Sequence, residues 1–284
     1  MSNQLRRAGV IGWPIAHSRS PLIHRHWLQH YGLQGCYEAV GLQPEAAGHF
    51  FRHFKESGYI GANITIPYKE TVMPYLDRID EAARLIGAVN TIWLEDTALC
   101  GTNTDWLGFL GNLDAGAHGW DEAKSAEKTA LVLGAGGAAR GIIHALMQRG
   151  FDRLYVANRT MARAQEMQNN FGPVVHPVPF DQAENHVGAV QLIVNTTSLG
   201  MGANPPLNLS LEACSHHCLI TDIVYTPLET PLLTQAAARG LRFVDGLGML
   251  LHQAAPGFAR WFGLQPVVDE ALRALGLADM ERSI

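Results

Sequence analysis

The sequence predicts an α/β protein of two domains, and three observations carry that expectation. Strand-like and helix-like segments alternate along the whole chain. A polar stretch, AHGWDEAKSAEKT at 117–129, precedes a second run of strands that opens on a glycine-rich strand-to-helix turn. The length of 284 residues is long for one domain and comfortable for two. Such alternation builds parallel or mainly parallel sheets flanked by helices.

In the first half, AGVIG (8–12) reads as a strand and Ser20 to Tyr31 as a helix with the apolar stripe Ile23, Trp27 and Tyr31. On that reading His24, His26 and His30 ride the wetter flank. CYEAVGL is a second strand, EAAGHFFRHFKES a second helix closed by Gly58, and ANITI a third strand stopped by Pro67. Tyr68 to Ile86 reads as mostly helical. AVNTIWL and ALCGTNT, with Glu95 and Asp96 at the turn between them, complete an open, mainly parallel sheet. In the second half TALVL, LYVAN, VVHPV, LIVNT, LITDIV and RFVD are six apolar strands separated by helical segments, as in a doubly wound nucleotide-binding sheet. After Asp245 the chain is helical again, through GMLLHQAAPGFARWFG and then Val267 to Leu277. The second sheet does not need these helices; whether they return to the first domain is open at this point.

Composition excludes several functions. With 47 % hydrophobic and 17 % charged residues the chain can bury cores and has no signature of disorder. Lys plus Arg is 21 against 26 for Asp plus Glu, a net charge of −5 that argues against non-specific nucleic-acid binding. No apolar run approaches the ~20 residues of a membrane span. The N-terminus, MSNQLRRAGVIGWPIAH, has two arginines but no long apolar stretch after them, unlike a secretory signal. A cytoplasmic protein is expected, with Cys36, Cys100, Cys214 and Cys218 as free thiols. CSHHC (214–218) gathers four metal-binding side chains, but helical neighbours point about 100° apart and rarely share an ion. We expect a polar helix end there, and no metal.

The strongest motif is TALVL-GAGGAARGIIHAL, in which Gly134, Gly136 and Ala139 form G-x-G-x-x-A between a buried strand and a helix. The glycines permit a tight turn and let backbone N–H groups approach a pyrophosphate at the positive end of the helix. The next strand, LYVAN, ends in Asn158-Arg159-Thr160, with Arg163 a turn further and no acid to hold a ribose 2′-hydroxyl. That set suits a 2′-phosphate, hence NADP; Thr160 also reads as a helix N-cap, and both can hold together. In GWPIAHSRSP, Ser18 and Ser20 are placed either to grip a carboxylate or simply to cap the helix. Asn63, Thr65 and Lys69 surround the end of one strand, Asn90 lies in GAVNT, and Asn103, Thr104 and Asp105 in GTNTD. Ligands bind at the carboxyl ends of strands in open sheets, so these groups are expected to converge.

GxPIxHSxSP, GANITIPYKE, GAVNT, NTD, GAGGAAR, ANRT, NTTSLGM, DIVYTPLETPLL and DGLGMLLHQA together resemble the blocks of the shikimate dehydrogenases, in the same order from about Gly12 to Gly263. The resemblance implies NADPH-dependent, reversible reduction of the C3 ketone of 3-dehydroshikimate to shikimate, a step towards chorismate and the aromatic amino acids. It implies Lys69 and Asp105 as a catalytic dyad. Ser18 and Ser20 are then the carboxylate grip, with Thr65 and Tyr225 nearby, and Asn90, Asp105 and Gln253 hold the ring hydroxyls. Gly134, Gly136, Gly137, Ala138 and Gly246, with Asn158, Arg159, Thr160 and Arg163, would bind NADP(H). It further implies a substrate domain of 1–105 with 246–284, a Rossmann NADP-binding domain of 106–245, and an active site in the interdomain cleft. Trp106 follows the NTD block where many relatives have a small residue; it either packs on the helix beginning there or leans into the cleft. Quinate or an aminoshikimate as substrate, and a non-catalytic NADP sensor, are the competing readings. A monomer or homodimer is expected, with no nucleic-acid or membrane partner.

Overall fold

A computed structural model describes residues 5–122 and 126–282 and divides the chain into two units, 1–105 with 251–284, and 106–250. The C-terminal helices thus rejoin the first unit, and the second changeover falls inside a helix rather than at 245/246. Three residues of the polar stretch, 123–125, and the first four of the N-terminal segment lie outside the described residues.

The first unit runs β1 (Arg6–Gly12), α1 (Ser20–His30), β2 (Gly35–Gly41), α2 (Pro44–Arg52), β3 (Gly61–Ile64), β4 (Arg78–Ile79), α3 (Glu81–Ile86), β5 (Thr91–Glu95) and β6 (Ala98–Thr102). Its sheet has the order β2-β1-β3-β5-β6-β4. It is mixed: β5 runs antiparallel to both β3 and β6, and the other neighbours are parallel. Phe51, Phe54, Tyr68 and Val72 pack with Ile11, Ile64 and Ile92 in one core of this unit.

Two expectations fail here. The segment 68–86 is not mostly helical: it holds turns, a 3₁₀ turn at Met73–Tyr75 and β4 before the six-residue α3. Pro74 cannot continue a helix, and Arg78 and Ile79 pair instead with Cys100 and Gly101 of β6. Nor does His24 ride a wet flank, for it is 0 % exposed. The buried face of α1 includes Ser20, Pro21, Ile23, His24, Trp27 and Leu28, wider than one stripe. The returning C-terminal helices widen it: the Trp27 indole donates to Val267 O at 3.0 Å, and His24 lies among Trp27, Phe258 and Trp261.

The second unit runs α4 (Asp105–Gly116), β7 (Thr129–Leu133), α5 (Gly137–Gln148), β8 (Arg153–Asn158), α6 (Met161–Phe171), β9 (Val175–Pro179), a 3₁₀ stretch at Phe180–Ala189, β10 (Leu192–Asn195), β11 (Leu219–Asp222), α7 (Pro231–Ala238) and β12 (Arg242–Val244). All six strands are parallel in the order β12-β11-β10-β7-β8-β9, which is doubly wound about β7. Every residue of β7 is buried, as a central parallel strand requires. Trp106, on α4, packs into this unit's core with its ring edge-to-face on His144, centroids 5.0 Å apart. CSHHC is a turn rather than a helix end, with Cys214 and Cys218 buried and both histidines exposed. Two helices close the chain, α8 (Leu247–Phe262) and α9 (Glu270–Arg282). No helix among the described residues is long and apolar enough to cross a membrane.

Candidate active site

The antiparallel β5 determines what meets at one edge of the first sheet. Register pairs Asn63 with Thr91 and Thr91 with Thr102, so the end of β3, the start of β5 and the end of β6 lie side by side. Asn90 therefore precedes its strand rather than following it, and still reaches the edge. Its backbone is held on both sides: Ile64 N donates to Asn90 O at 2.8 Å, and Asn90 N donates to Thr102 O at 3.1 Å.

Asn90 is buried, and its side chain organises the cluster. The Oδ1 atom accepts from Thr104 N at 2.7 Å and from Thr91 Oγ1 at 3.1 Å. That leaves Nδ2 to donate to Asp105 Oδ1 at 2.8 Å and Thr104 Oγ1 at 3.0 Å, with Gln253 Oε1 at 3.4 Å. The other carboxylate oxygen, Asp105 Oδ2, accepts from Lys69 Nζ at 2.5 Å. The two side chains are 31 % and 23 % exposed, so the pair is shielded yet open to a ligand. An ammonium has three donors, and Asp105 is the single partner recorded for Lys69 among the described residues. Lys69 is itself fixed through its carbonyl, which accepts from Val89 N at 2.8 Å. Asp105 N donates to Asn103 Oδ1 at 3.0 Å, and Thr104 Oγ1 donates to Gln253 O at 2.8 Å, tying α8 to the edge.

Thr65 is half-buried just beyond β3, its N–H donating to Ile11 O at 2.9 Å. The cap position of α1 is Arg19, whose side chain makes no cap bond. Ser18 Oγ accepts a long 3.4 Å hydrogen bond from the N–H of Ser20, the first residue of α1. Sequence reasoning singled out Asn63 but missed Tyr37, whose hydroxyl donates to Asn63 Oδ1 at 2.5 Å. A tyrosine in an apolar strand reads as core, and nothing local marks its hydroxyl as part of a network.

In the second unit the glycine turn forms an open cradle. Gly134 has φ of +105°, and a Cβ there would sit 2.7 Å from Thr196 Oγ1, so only glycine fits without strain. Gly134 N donates to Ala157 O at 2.8 Å, and Ala135 N to Asn158 Oδ1 at 3.2 Å, which pins the turn to the end of β8. Gly136, Gly137 and Ala138 are exposed at the start of α5, and a Cβ on either glycine would meet nothing within 4 Å. Arg159, Thr160 and Arg163 are exposed beside them, neither arginine is in a recorded ion pair among the described residues, and Thr160 occupies the cap position of α6 without a side-chain cap bond. Arg140, by contrast, is paired with Glu166. An uncapped helix N-terminus behind small residues, with uncommitted guanidinium groups alongside, fits the pyrophosphate and 2′-phosphate of NADP(H).

Gly246 is buried, and a Cβ there would lie 2.5 Å from Ile223 O, so packing alone accounts for the glycine. Tyr225 follows β11 on a half-buried loop of this unit. The loop is anchored by Asp222, whose carboxylate accepts from Val224 N at 3.0 Å, Asn195 Nδ2 at 3.0 Å and Thr230 Oγ1 at 2.8 Å; burial pushes its pKa up. Among the described residues no three His, Cys, Asp or Glu side chains are grouped to hold a metal.

A doubly wound sheet with a dinucleotide cradle, joined to a unit that presents an ammonium–carboxylate pair in a hydrogen-bonded polar edge, is the layout of a dinucleotide-dependent dehydrogenase. Comparison with known proteins makes this specific. Family models match at residues 10–92 (shikimate dehydrogenase substrate binding domain), 120–202 (shikimate / quinate 5-dehydrogenase) and 246–275 (shikimate 5′-dehydrogenase C-terminal domain). A shikimate dehydrogenase (NADP(+)) of Azorhizobium caulinodans is 51 % identical over 276 residues, 97 % of each chain. The structure is similar to shikimate 5-dehydrogenase from Thermus thermophilus in complex with NADP(H) and shikimate, with a TM-score of 0.83, 36 % identity, and 99 % of this chain and 100 % of that one covered. It is also similar to quinate dehydrogenase from Corynebacterium glutamicum in complex with NAD, with a TM-score of 0.85, 30 % identity and the same coverage. The chain belongs to the shikimate dehydrogenase family.

Proposed function

We propose that this chain interconverts 3-dehydroshikimate and shikimate with NADP(H), in the pathway to chorismate. The observation that carries the reading is the Lys69–Asp105 pair, held by Asn90 at a polar sheet edge in a chain 51 % identical to a shikimate dehydrogenase (NADP(+)). NADPH, when bound, supplies the hydride that reaches C3 of the ketone. Lys69 then donates a proton from Nζ to the C3 oxygen, and takes it back in the oxidative direction. Asp105 balances the ammonium's charge and aims it, while the uncommitted Nζ donors stabilise negative charge developing on that oxygen. Ser18 and Ser20 bind the carboxylate, with Thr65 near them, Asn90, Asp105 and Gln253 bind ring hydroxyls, and Tyr225 is a further substrate-binding residue. The cofactor is assigned to Gly134, Gly136, Gly137, Ala138, Asn158, Arg159, Thr160, Arg163 and Gly246. On this reading 1–105 with the C-terminal helices is the substrate domain. The enzyme works as a monomer or homodimer, and the unpaired state of all four cysteines supports a cytoplasmic setting.

Cofactor absorbance with shikimate and either NADP or NAD tests the reading directly, with quinate as the competing acid because of the quinate dehydrogenase likeness. Lys69→Ala should lower kcat at least ~100-fold with cofactor affinity little changed, as for loss of a general acid–base group. Near-normal turnover in that variant would sink the assignment.

A further inference from the structure

We propose that Tyr37 is a positioning residue, orienting Asp105 and Lys69 through a one-way chain of donors that runs Tyr37, Asn63, Thr91, Asn90, Asp105. The proposal rests on the dehydrogenase reading of that pair. The phenol donates to Asn63 Oδ1 at 2.5 Å, while Asn63 Nδ2 is turned towards Thr91 Oγ1 at 3.1 Å and the obligate acceptor Asn90 O at 3.3 Å. Having accepted there, the Thr91 hydroxyl donates onward to Asn90 Oδ1 at 3.1 Å. Together with Thr104 N, which donates to the same Oδ1 at 2.7 Å, that bond holds the Asn90 amide in the sense in which Nδ2 faces Asp105 Oδ1. Reversing the Asn63 amide would set its oxygen against Asn90 O, and reversing the Asn90 amide would set its nitrogen against Thr104 N and its oxygen against Asp105 Oδ1.

The links are dry. Tyr37, Asn63, Asn90 and Thr91 are each at most 5 % exposed, so water is poorly placed to replace a missing donor. The phenol is itself held rigidly, stacked on the His24 ring with centroids 3.9 Å apart and planes 11° from parallel, while Arg25 Nε donates to Tyr37 O at 3.0 Å. Its other polar neighbour is the Ser20 hydroxyl, which places the start of the chain beside the proposed carboxylate grip. Burial raises the phenol pKa well above its ordinary value, so the proton that begins the chain stays on through the working range. Packing alone would be met by phenylalanine; the hydroxyl is what the chain requires.

Tyr37→Phe removes only that hydroxyl, and Thr91→Val cuts the chain two residues nearer the pair. Steady-state kinetics on the full-length protein with shikimate and NADP should show kcat down roughly tenfold in each, about the effect of one hydrogen bond, with KM for shikimate changed by less than about threefold. The double variant Tyr37→Phe/Asn63→Ala should be no slower than Asn63→Ala alone, because both act through one path. Thermal unfolding identifies the folded variants, and a merely structural role would lower the melting temperature without that kcat pattern. If Tyr37→Phe and Thr91→Val both keep kcat within twofold, or if the double variant multiplies the two single losses, the proposal is overturned. An inactive Lys69→Ala beside a fully active Tyr37→Phe would reject this chain alone; an active Lys69→Ala would reject the dehydrogenase reading beneath it.

Discussion

Acid should destabilise the first unit through His24, and the size of the effect follows from its surroundings. The imidazole is wholly buried, and neither ring nitrogen has a bonded partner of full hydrogen-bond geometry. Desolvation pushes its pKa down from 6.5 to about 3, offset a little by the nearby Asn63. Below pH 6.5 the unfolded chain therefore takes up a proton that the folded chain refuses. Stability is full above the unfolded value and falls with pH at about 1.4 kcal/mol per unit until the folded pKa is reached. Between pH 6.5 and pH 5 the loss is about 2 kcal/mol, a large part of the 5–15 kcal/mol typical of a domain.

The perturbation is His24→Leu, which removes the titrating ring and keeps an apolar side chain in the pocket. It also loses the stack on Tyr37, worth about 0.5–1.5 kcal/mol, but that penalty does not vary with pH and cancels when two pH values are compared. Urea unfolding of both proteins at pH 7 and pH 5 is the assay, read by the fluorescence of Trp27 and Trp261, which line the pocket. The native protein should lose about 2 kcal/mol more than the variant across that interval. Parallel losses in the two proteins would refute the reasoning, as would an NMR titration of the folded His24 ring near pH 6.5.

Two further outcomes follow from the same geometry. Arg159→Ala should lower NADP affinity roughly 10- to 150-fold, the loss of one charge-assisted contact, while NAD is little affected; the ratio of kcat/KM for the two cofactors checks it. Ser18→Ala and Ser20→Ala should each raise KM for shikimate about tenfold or more, and unchanged KM in both would mean that their hydroxyls do not hold the carboxylate.

The second unit is legible in the sequence because its central strands β7 and β10 are buried, mainly apolar runs, and the glycine turn marks where the chain changes direction. Most of the polar edge is legible too, since Asn63 and Asn90 stand at strand ends and Lys69 and Asp105 follow within a few residues of β3 and β6. The segment 68–86 misleads for a physical reason: Val72, Leu76, Ile79, Ala83 and Ile86 recur at helical spacing, and that period outweighs the local signals. Those signals are present. Asp80 caps α3 by accepting from Ala83 N at 2.8 Å, and Gly87 ends it at φ of +74°, so the capping residues bracket the real helix. His24 is misplaced because the apolar stripe includes Ile23 and Trp27 but not the strip beside them, and no local pattern announces that α8 and α9 come back to cover it. Tyr37 falls outside reach altogether, because its role is set by pairing across β1 and β3 rather than by its own neighbours.

The antiparallel β5 explains how so dense a polar cluster is built without long loops. In an all-parallel sheet every strand delivers only its carboxyl end to the functional edge, and the following residues must leave at once on a crossover. Reversing one strand brings its first residues to that edge, between the last residues of its two neighbours. Asn90 then lies between β3 and β6 with its own N–H and C=O already used by Thr102 and Ile64, which leaves its side chain free for the site. The position is consequently over-determined by ladder bonds that do not depend on any ligand. Asp105 gains from the same arrangement, since it begins α4 after only Asn103 and Thr104 have followed β6, and it meets Asn90 and Lys69 there. Pre-organisation of this kind matters for proton transfer, where the donor must be aimed before the barrier is reached and not during it. The reversed strand is thus the feature of the fold that converts separate polar residues of the first unit into one oriented pair.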